Sequence, residues 1–406
     1  MLLSVLLALT VIIITARLMG LLFSKLGQPA VIGEVIGGIL LGPSLLGRLA
    51  PDAQAVLLPA TALPFLNVIA QLGVILYMFL VGLELDLQVL RGRAARTIAI
   101  SNAGIIVPFA LGAALAWMLF ESYAPAGVTQ LPFTLFLGVS MAITAFPVLA
   151  RILGDRGLQR TPNGVLALTC AAIDDVSAWC LLAFVVSVTQ NTPGDAIATS
   201  LLTALYIGFM LTIGRKLMAL VVTRLEHSRH VGQQALALVL ASVLLSAIAT
   251  EYIGVHAIFG AFLLGAIIPH QSPIAAHVRE RIEDIVRVML LPAFFAVTGL
   301  RTQIGLLQTV EEWLICGLII VVATSGKFGG VFAAARITGL NWRDSATLGI
   351  LMNTRGLVEL IVLNIGLDLG VITPRLFTML VIMAVVTTMM TSPVLTALLR
   401  RPADLR

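Results

Sequence analysis

The chain has 406 residues, of which 59% are hydrophobic and only 11% charged, and its mean hydropathy is +1.06. Soluble domains run near a quarter charged, so this composition argues against a water-soluble enzyme. The net charge of +5 arises from Lys and Arg residues that punctuate apolar runs instead of clustering with aromatics, which points away from a nucleic-acid partner and toward membrane lipid.

Thirteen apolar runs approach the roughly 20 residues needed to cross a bilayer. They cover 2–23, 30–46, 63–83, 97–119, 131–152, 163–188, 198–222, 232–250, 254–269, 286–300, 312–335, 345–367 and 376–398. Little chain is left for a soluble domain, so the fold class is an all-α polytopic membrane protein with about 13 transmembrane helices. The first run lacks the basic start and small-residue cleavage site of a secretory signal and reads as a mature helix. The second, ninth and tenth runs are short and contain Gly or Pro. Cys170, Cys180 and Cys316 lie inside runs without metal-ligand or disulfide spacing and read as small core residues.

Basic residues set the orientation. With the N-terminus outside, the inward segments collect Lys25, Arg91, Arg93, Arg96, Arg151, Arg156, Arg160, Arg215, Lys216, Arg224, Arg229, Arg279, Arg281, Arg287, Arg336, Arg343, Arg400, Arg401 and Arg406, against Arg48, Arg301 and Arg375 outside. Nineteen against three predicts an N-out, C-in protein of the plasma membrane, a bacterial inner membrane by expectation.

Two matches recur seven runs apart. Gly37-Gly38-Ile39-Leu40-Leu41-Gly42 in the second run parallels Gly260-Ala261-Phe262-Leu263-Leu264-Gly265 in the ninth. Phe79-Leu80-Val81-Gly82-Leu83 at the end of the third parallels Phe295-Ala296-Val297-Thr298-Gly299-Leu300 at the end of the tenth. An odd offset inverts the halves in the membrane, so runs one to six and eight to thirteen are expected to form an inverted-topology repeat joined by the seventh.

Ionisable side chains at membrane depth are costly and mark function. Those inside or at the edge of runs are Arg17, Glu34, Asp174, Asp175, Lys327, Arg355 and Glu359. Asp174 and Asp175 are adjacent on the sixth run, so on a helix they point about 100° apart and need separate partners. Taking a carboxylate out of water is costly unless it is protonated or paired with a cation. A carboxylate reached from a water-filled cavity therefore holds a proton or a metal cation but not both, which is the minimal chemistry of exchange. Lys327, about ten residues from the nearer end of the eleventh run, needs one of these aspartates. The working assignment pairs it with Asp174 and leaves Asp175 toward the cavity.

Two runs carry breaks. In the fifth, Pro147 follows Ile143-Thr144-Ala145-Phe146 and disfavours helix at the preceding residue. The twelfth places Asn353-Thr354-Arg355-Gly356 at mid-depth. The inverted repeat makes these runs equivalents, and paired broken helices bring half-helix dipoles to the bilayer midplane. Arg355 and Glu359, spaced i, i+4, can pair on one face and compensate such dipoles. Glu34 reads as a first-turn acid of the second run. The GxxxG spacings at Gly33/Gly37 and Gly38/Gly42 read as close helix packing, and His227, His230, His270 and His277 as solvated loop residues.

Ala142-Ile143-Thr144-Ala145-Phe146-Pro147-Val148-Leu149-Ala150-Arg151-Ile152-Leu153, the Asp174-Asp175 pair, Lys327 and Met352-Asn353-Thr354-Arg355-Gly356-Leu357-Val358-Glu359-Leu360 together resemble the monovalent cation:proton antiporter-2 family, which includes Kef-type systems, plant cation/proton exchangers and bacterial sodium/proton antiporters. The resemblance covers essentially the whole chain. It implies the sodium/proton antiporter fold with two crossed discontinuous helices, a homodimer, no cofactor, and an elevator in which a core domain moves against a dimerisation domain. The implied dimerisation domain is 1–96 and 231–311, the core 97–190 and 312–399, with a linker helix at 191–230 and a cytoplasmic tail at 400–406. By the same resemblance Asp175 matches the essential cation- and proton-binding carboxylate, Asp174 the variable position before it, Lys327 its lysine partner and Thr144 the polar residue at the crossing.

An acid at position 174, where many plant and Kef relatives carry Asn or Gln, together with Lys327 resembles the electrogenic sodium-transporting members and favours Na+ over K+, with Li+ a further candidate cargo. Ala145 stands where some of those members carry an acid, and the sequence to Arg406 does not include the nucleotide-binding regulatory domain of Kef-type members. The resemblance therefore implies Na+/H+ exchange, with K+/H+ exchange the alternative. An intramembrane aspartyl protease would need two aspartates facing one shared proton, which neighbours on one helix do not provide. An organic-anion symporter of related fold would not call for a buried lysine and acidic pair.

Overall fold

The computed structural model describes residues 2–84, 94–190, 193–226, 232–254, 256–269 and 272–399. Arg91, Arg93, His227, Arg229, His230, His270 and the tail from Arg400 lie outside the described residues. Among the described residues every regular element is helical. In chain order these are α1 (Leu2–Lys25), α2 (Ala30–Leu41), the short α3 (Leu46–Leu49) and α4 (Pro51–Leu57), then α5 (Leu63–Glu84) and α6 (Ala94–Tyr123). The chain continues with α7 (Gln130–Ala142), α8 (Phe146–Asp155), α9 (Pro162–Gln190), α10 (Pro193–Phe209), α11 (Arg215–Glu226), α12 (Gln233–Ile253) and α13 (Ala257–Ile267). It ends with α14 (Pro273–Ile285), α15 (Leu291–Arg301), α16 (Val310–Ile337), α17 (Trp342–Met352), α18 (Leu357–Asp368) and α19 (Pro374–Leu399). One-turn π segments at Met210–Gly214 and Val286–Leu290 join α10 to α11 and α14 to α15.

Ten helical segments among the described residues are long and apolar enough to cross a membrane. The fifth, ninth and twelfth runs fall short of that length. The fifth and twelfth do so because each is split in two, α7/α8 and α17/α18, and the ninth because α13 has only 11 residues.

Local chemistry sets several ends. The Thr309 hydroxyl accepts from the Glu312 N–H at 3.2 Å while Glu312 Oε2 accepts from the Thr309 N–H at 2.9 Å. This capping box starts α16 at Val310, two residues ahead of the predicted run. Asn341 caps α17 through the Asp344 N–H at 2.8 Å. Gly254, at φ 94°, closes α12 in the left-handed region that glycine enters without strain.

The helices group into two compact units, one of Met1–Ile13, Ala55–Val89 and Ala183–Val297, the other of Ile14–Gln54, Leu90–Leu182 and Thr298–Arg406. In the first, α5 and α13 touch backbone to backbone: a Cβ on Gly82 would collide with the Phe262 carbonyl, and one on Gly265 with the Phe79 carbonyl. In the second, a Cβ on Gly299 would collide with the backbone of Gly38, and one on Gly42 would sit 2.9 Å from the Gly299 carbonyl. The two glycine-bearing matches of the sequence thus pack in reciprocal fashion, third run on ninth and second on tenth. Small residues allow this approach where no water drives association.

Candidate functional site

The second unit holds every intramembrane charge singled out from the sequence. Its centre is the meeting of two interruptions. The chain leaves helix at Ile143–Ala145, between α7 and α8, and again at Asn353–Gly356, between α17 and α18. The interruptions are tied directly, the Ala145 N–H donating to the Thr354 carbonyl at 3.0 Å and Thr144 Oγ1 donating to the Met352 carbonyl at 3.4 Å. Gly356 is extended, and its small size is required by contact: a Cβ there would lie 2.6 Å from Val148 Cγ2 and 3.4 Å from the Ala145 Cβ. Pro147 sits in the first turn of α8, where its missing N–H has no intrahelical acceptor to lose. It opens the second half-helix, and the interruption itself lies at the three preceding residues.

Asp174, on α9, is fully buried and fully occupied. It accepts from Ser101 Oγ at 2.5 Å, from Thr144 Oγ1 at 2.8 Å and from Lys327 Nζ at 2.8 Å. Lys327 is itself completely buried and spends its other two protons on the carbonyls of Gly104, at 2.7 Å, and Ala142, at 2.6 Å. All three ammonium donors therefore have partners. The Gly104 carbonyl is open because the residue four places on, inside α6, is Pro108, which has no N–H to give it. The Ala142 carbonyl is open because α7 ends there. Lys327 thus joins an acid to two carbonyls that local sequence has left without helical partners.

Asp175, the next residue, has the opposite environment. Its side chain has zero exposure, lies beside the Phe146 N–H at the start of α8, and neither carboxylate oxygen has a hydrogen-bond partner among the described residues. A helix N-terminus favours an anion, but one N–H without bonding geometry does not replace the water that the carboxylate has lost. Among the described residues Asp175 is fully enclosed, where an opening onto a water-filled cavity is expected from the sequence. A small apolar cavity beside the second interruption, between α2, α18 and α19, reaches Arg355 and Gly356 and not Asp175.

Arg355 and Glu359 pair at 2.5 Å, both completely buried. The guanidinium also donates to the Ser140 carbonyl at 2.7 Å and the Met141 carbonyl at 2.6 Å. The last three carbonyls of α7, those of Ser140, Met141 and Ala142, are therefore bound by Arg355 and Lys327, cations at the negative end of a half-helix. Glu359 stands in the first turn of α18, at a positive end. On α19, Thr388 Oγ1 accepts from the Arg355 N–H at 3.0 Å and donates to the Arg355 carbonyl at 2.7 Å, which fixes the second interruption.

The structure thus gathers Thr144, Asp174, Asp175, Lys327, Arg355, Glu359, Gly356 and the start of the Pro147 half-helix. Ser101, Gly104, Pro108, Asn353 and Thr388 also belong to it. Of these, Pro108 and Asn353 had a visible signal, a helix breaker and a polar amide inside apolar runs. Several bland expectations need correction. Glu34 lies in the second turn of α2, not the first. Cys180 is exposed, whereas Cys170 and Cys316 are buried. His277 belongs to α14 and not to a loop.

Residues 11–401 match the family model described as "Sodium/hydrogen exchanger, transmembrane". The chain is 47% identical over 404 residues to the Na(+)/H(+) antiporter NhaS4 of Synechocystis sp., covering 99% of this chain and 98% of that protein. It is 40% identical to Cation/H(+) antiporter 20 of Arabidopsis thaliana, covering 95% of this chain but 47% of the plant protein, so it spans about half the length of that relative. In fold it is similar to the sodium proton antiporter MjNhaP1 from Methanocaldococcus jannaschii, solved at pH 8, with a TM-score of 0.67 at 16% identity over 98% of this chain and 96% of that one.

Proposed function

Because the chain belongs to the sodium/hydrogen exchanger family of multi-pass membrane transporters, which are not enzymes, we propose that it exchanges intracellular Na+ for external protons at Asp175. The observation that carries this reading is the contrast between two adjacent acids. Asp174 has its charge met by Lys327 and its oxygens by Ser101 and Thr144, while the buried Asp175 carboxylate, beside two interrupted helices, has no hydrogen-bond partner among the described residues. A buried carboxylate of that kind is stable with one positive guest. A proton and an alkali cation compete for it, and protonation of Asp174 would release Lys327 in the same step.

Only the loaded site would cross. The proposed moving part is the core, 97–190 and 312–399, sliding as an elevator against a dimerisation domain of 1–96 and 231–311 in a homodimer, with 191–230 as linker. The reciprocal glycine packing of the second run on the tenth and the third on the ninth supports an inverted repeat behind this division. Arg355, Glu359 and Lys327 would travel with the site, holding the half-helix ends in register without binding the ion. The basic-residue bias supports an N-out, C-in orientation in the plasma membrane. Lys327, a cation released when a proton arrives at Asp174, makes net charge movement part of the proposal. The 47% identity to a protein named as a Na(+)/H(+) antiporter supports sodium.

The test is proton flux in proteoliposomes driven by Na+, Li+ or K+ gradients, with and without an imposed membrane potential. Expected are Na+-driven flux and a rate that follows the potential. A K+ response above that to Na+ would reassign the ion, and no proton movement with any of the three would overturn the exchanger reading.

A further inference from the structure

Asn353 is the first residue of the second interruption. It has zero exposure, and neither its side-chain oxygen nor its side-chain nitrogen has a hydrogen-bond partner among the described residues. A buried primary amide is normally bonded, and one that is not calls for an explanation. Its position supplies one. The residue before it, Met352, receives Thr144 Oγ1, and the residue after it, Thr354, receives the Ala145 N–H. Asn353 is thereby bracketed by two bonds to the first interruption, where Thr144 also reaches Asp174 and the next N–H, that of Phe146, lies beside Asp175. Asp175 and Asn353 are the two side chains at this crossing whose polar atoms are all unpartnered among the described residues.

We propose that Asn353 contributes its side-chain oxygen to the metal cation that Asp175 neutralises, and so sets the preference for metal over proton. The inference rests on the Asp175 reading above. A proton on a carboxylate is held by one covalent O–H bond and needs at most a single acceptor, not a coordination shell. An alkali cation must regain from the protein the oxygens of its lost hydration shell, and carbonyl-type oxygens are its usual replacements. A neutral amide oxygen strengthens metal binding without adding a charge that a proton could titrate. With the proton aboard, the amide stays unsatisfied; with the metal aboard, it is used.

The experiment measures the cation KM of exchange in proteoliposomes across a pH series, from alkaline conditions where protons no longer compete down to where they do. For Asn353→Leu the alkaline KM rises on the order of tenfold or more, the cost of one ligand bond to a charged group. The pH at which protons begin to raise KM stays where it is in the wild type. Asn353→Asp, which keeps an oxygen, retains a low alkaline KM. Asn353→Ala, smaller than the native side chain and without an oxygen, gives the same rise as Leu if the leucine variant does not assemble. An unchanged alkaline KM in both Leu and Ala variants, or an equal loss in the Asp variant, overturns the assignment. Failure of the parent reading is separate, since exchange surviving Asp175→Asn would remove that site whatever Asn353 does.

Discussion

Pro108 stands four residues after Gly104 in α6, and the carbonyl it leaves open accepts from Lys327 at 2.7 Å. A helix breaker on one span thus supplies an acceptor for a charge on another. Replacing Pro108 by Ala restores an N–H that competes for the Gly104 carbonyl. A hydrogen bond to a charged group contributes about 1.5–3 kcal/mol, and sharing it should slow exchange about 3–10-fold. The variant should remain folded, because the Cβ that packs against Gly326 is kept. Initial rates in proteoliposomes decide it, and a wild-type rate would show that Lys327 does not depend on this acceptor.

The Lys327–Asp174 pair is completely buried. Removing one member of such a pair strands the other and costs about 3–5 kcal/mol. Lys327→Met should therefore lower the thermal midpoint in detergent, and adding Asp174→Asn should recover part of the loss. A double variant no more stable than Lys327→Met would place the cost elsewhere.

Arg355 serves three acceptors at once, the carbonyls of Ser140 and Met141 and the carboxylate of Glu359. A lysine has no planar fork to reach them together. Arg355→Lys should therefore be destabilised nearly as much as Arg355→Met, by several kcal/mol on the order of a broken buried pair. Thermal unfolding of the two variants side by side tests this, and full rescue by Lys would reduce the role of Arg355 to its charge.

Glycine contacts offer an internal control. A Cβ on Gly299 would overlap the backbone of Gly38 and Ile39, and one on Gly82 the backbone of α13, whereas Gly329 has nothing within 4 Å. Gly299→Ala and Gly82→Ala should each cost about 1–3 kcal/mol or more through overpacking. Gly329→Ala should be neutral or stabilising by up to about 1 kcal/mol, since alanine favours helix. Equal effects at all three positions would remove the packing argument.

Much of this architecture is legible in the sequence because lipid offers charges so few solutions. Lys327 had to find an aspartate, and its deep position left Asp174 or Asp175. The two interruptions announced themselves through Pro147 and the polar segment at Asn353–Gly356. What could not be read is which acceptors the cations use besides acids. Backbone carbonyls carry no sequence signal, so the reach of Arg355 to the end of α7, and of Lys327 to Gly104 and Ala142, emerges only from the packing of α6, α7 and α16. Ser101 was invisible for a related reason: a lone serine in an apolar run is more often bonded to its own helix. The complete burial of Asp175 is likewise a matter of packing, which no residue pattern specifies.

The most direct measurement compares wild-type protein with Asp175→Asn, reconstituted at equal density, in Na+-driven proton flux across a pH series. The amide keeps the shape and removes the charge. Flux should vanish at every pH while the thermal midpoint holds or rises, because a buried carboxylate with no hydrogen-bond partner among the described residues has been replaced by a neutral group. Retained, pH-dependent Na+/H+ exchange in Asp175→Asn would contradict the claim that this acid is where proton and metal take turns.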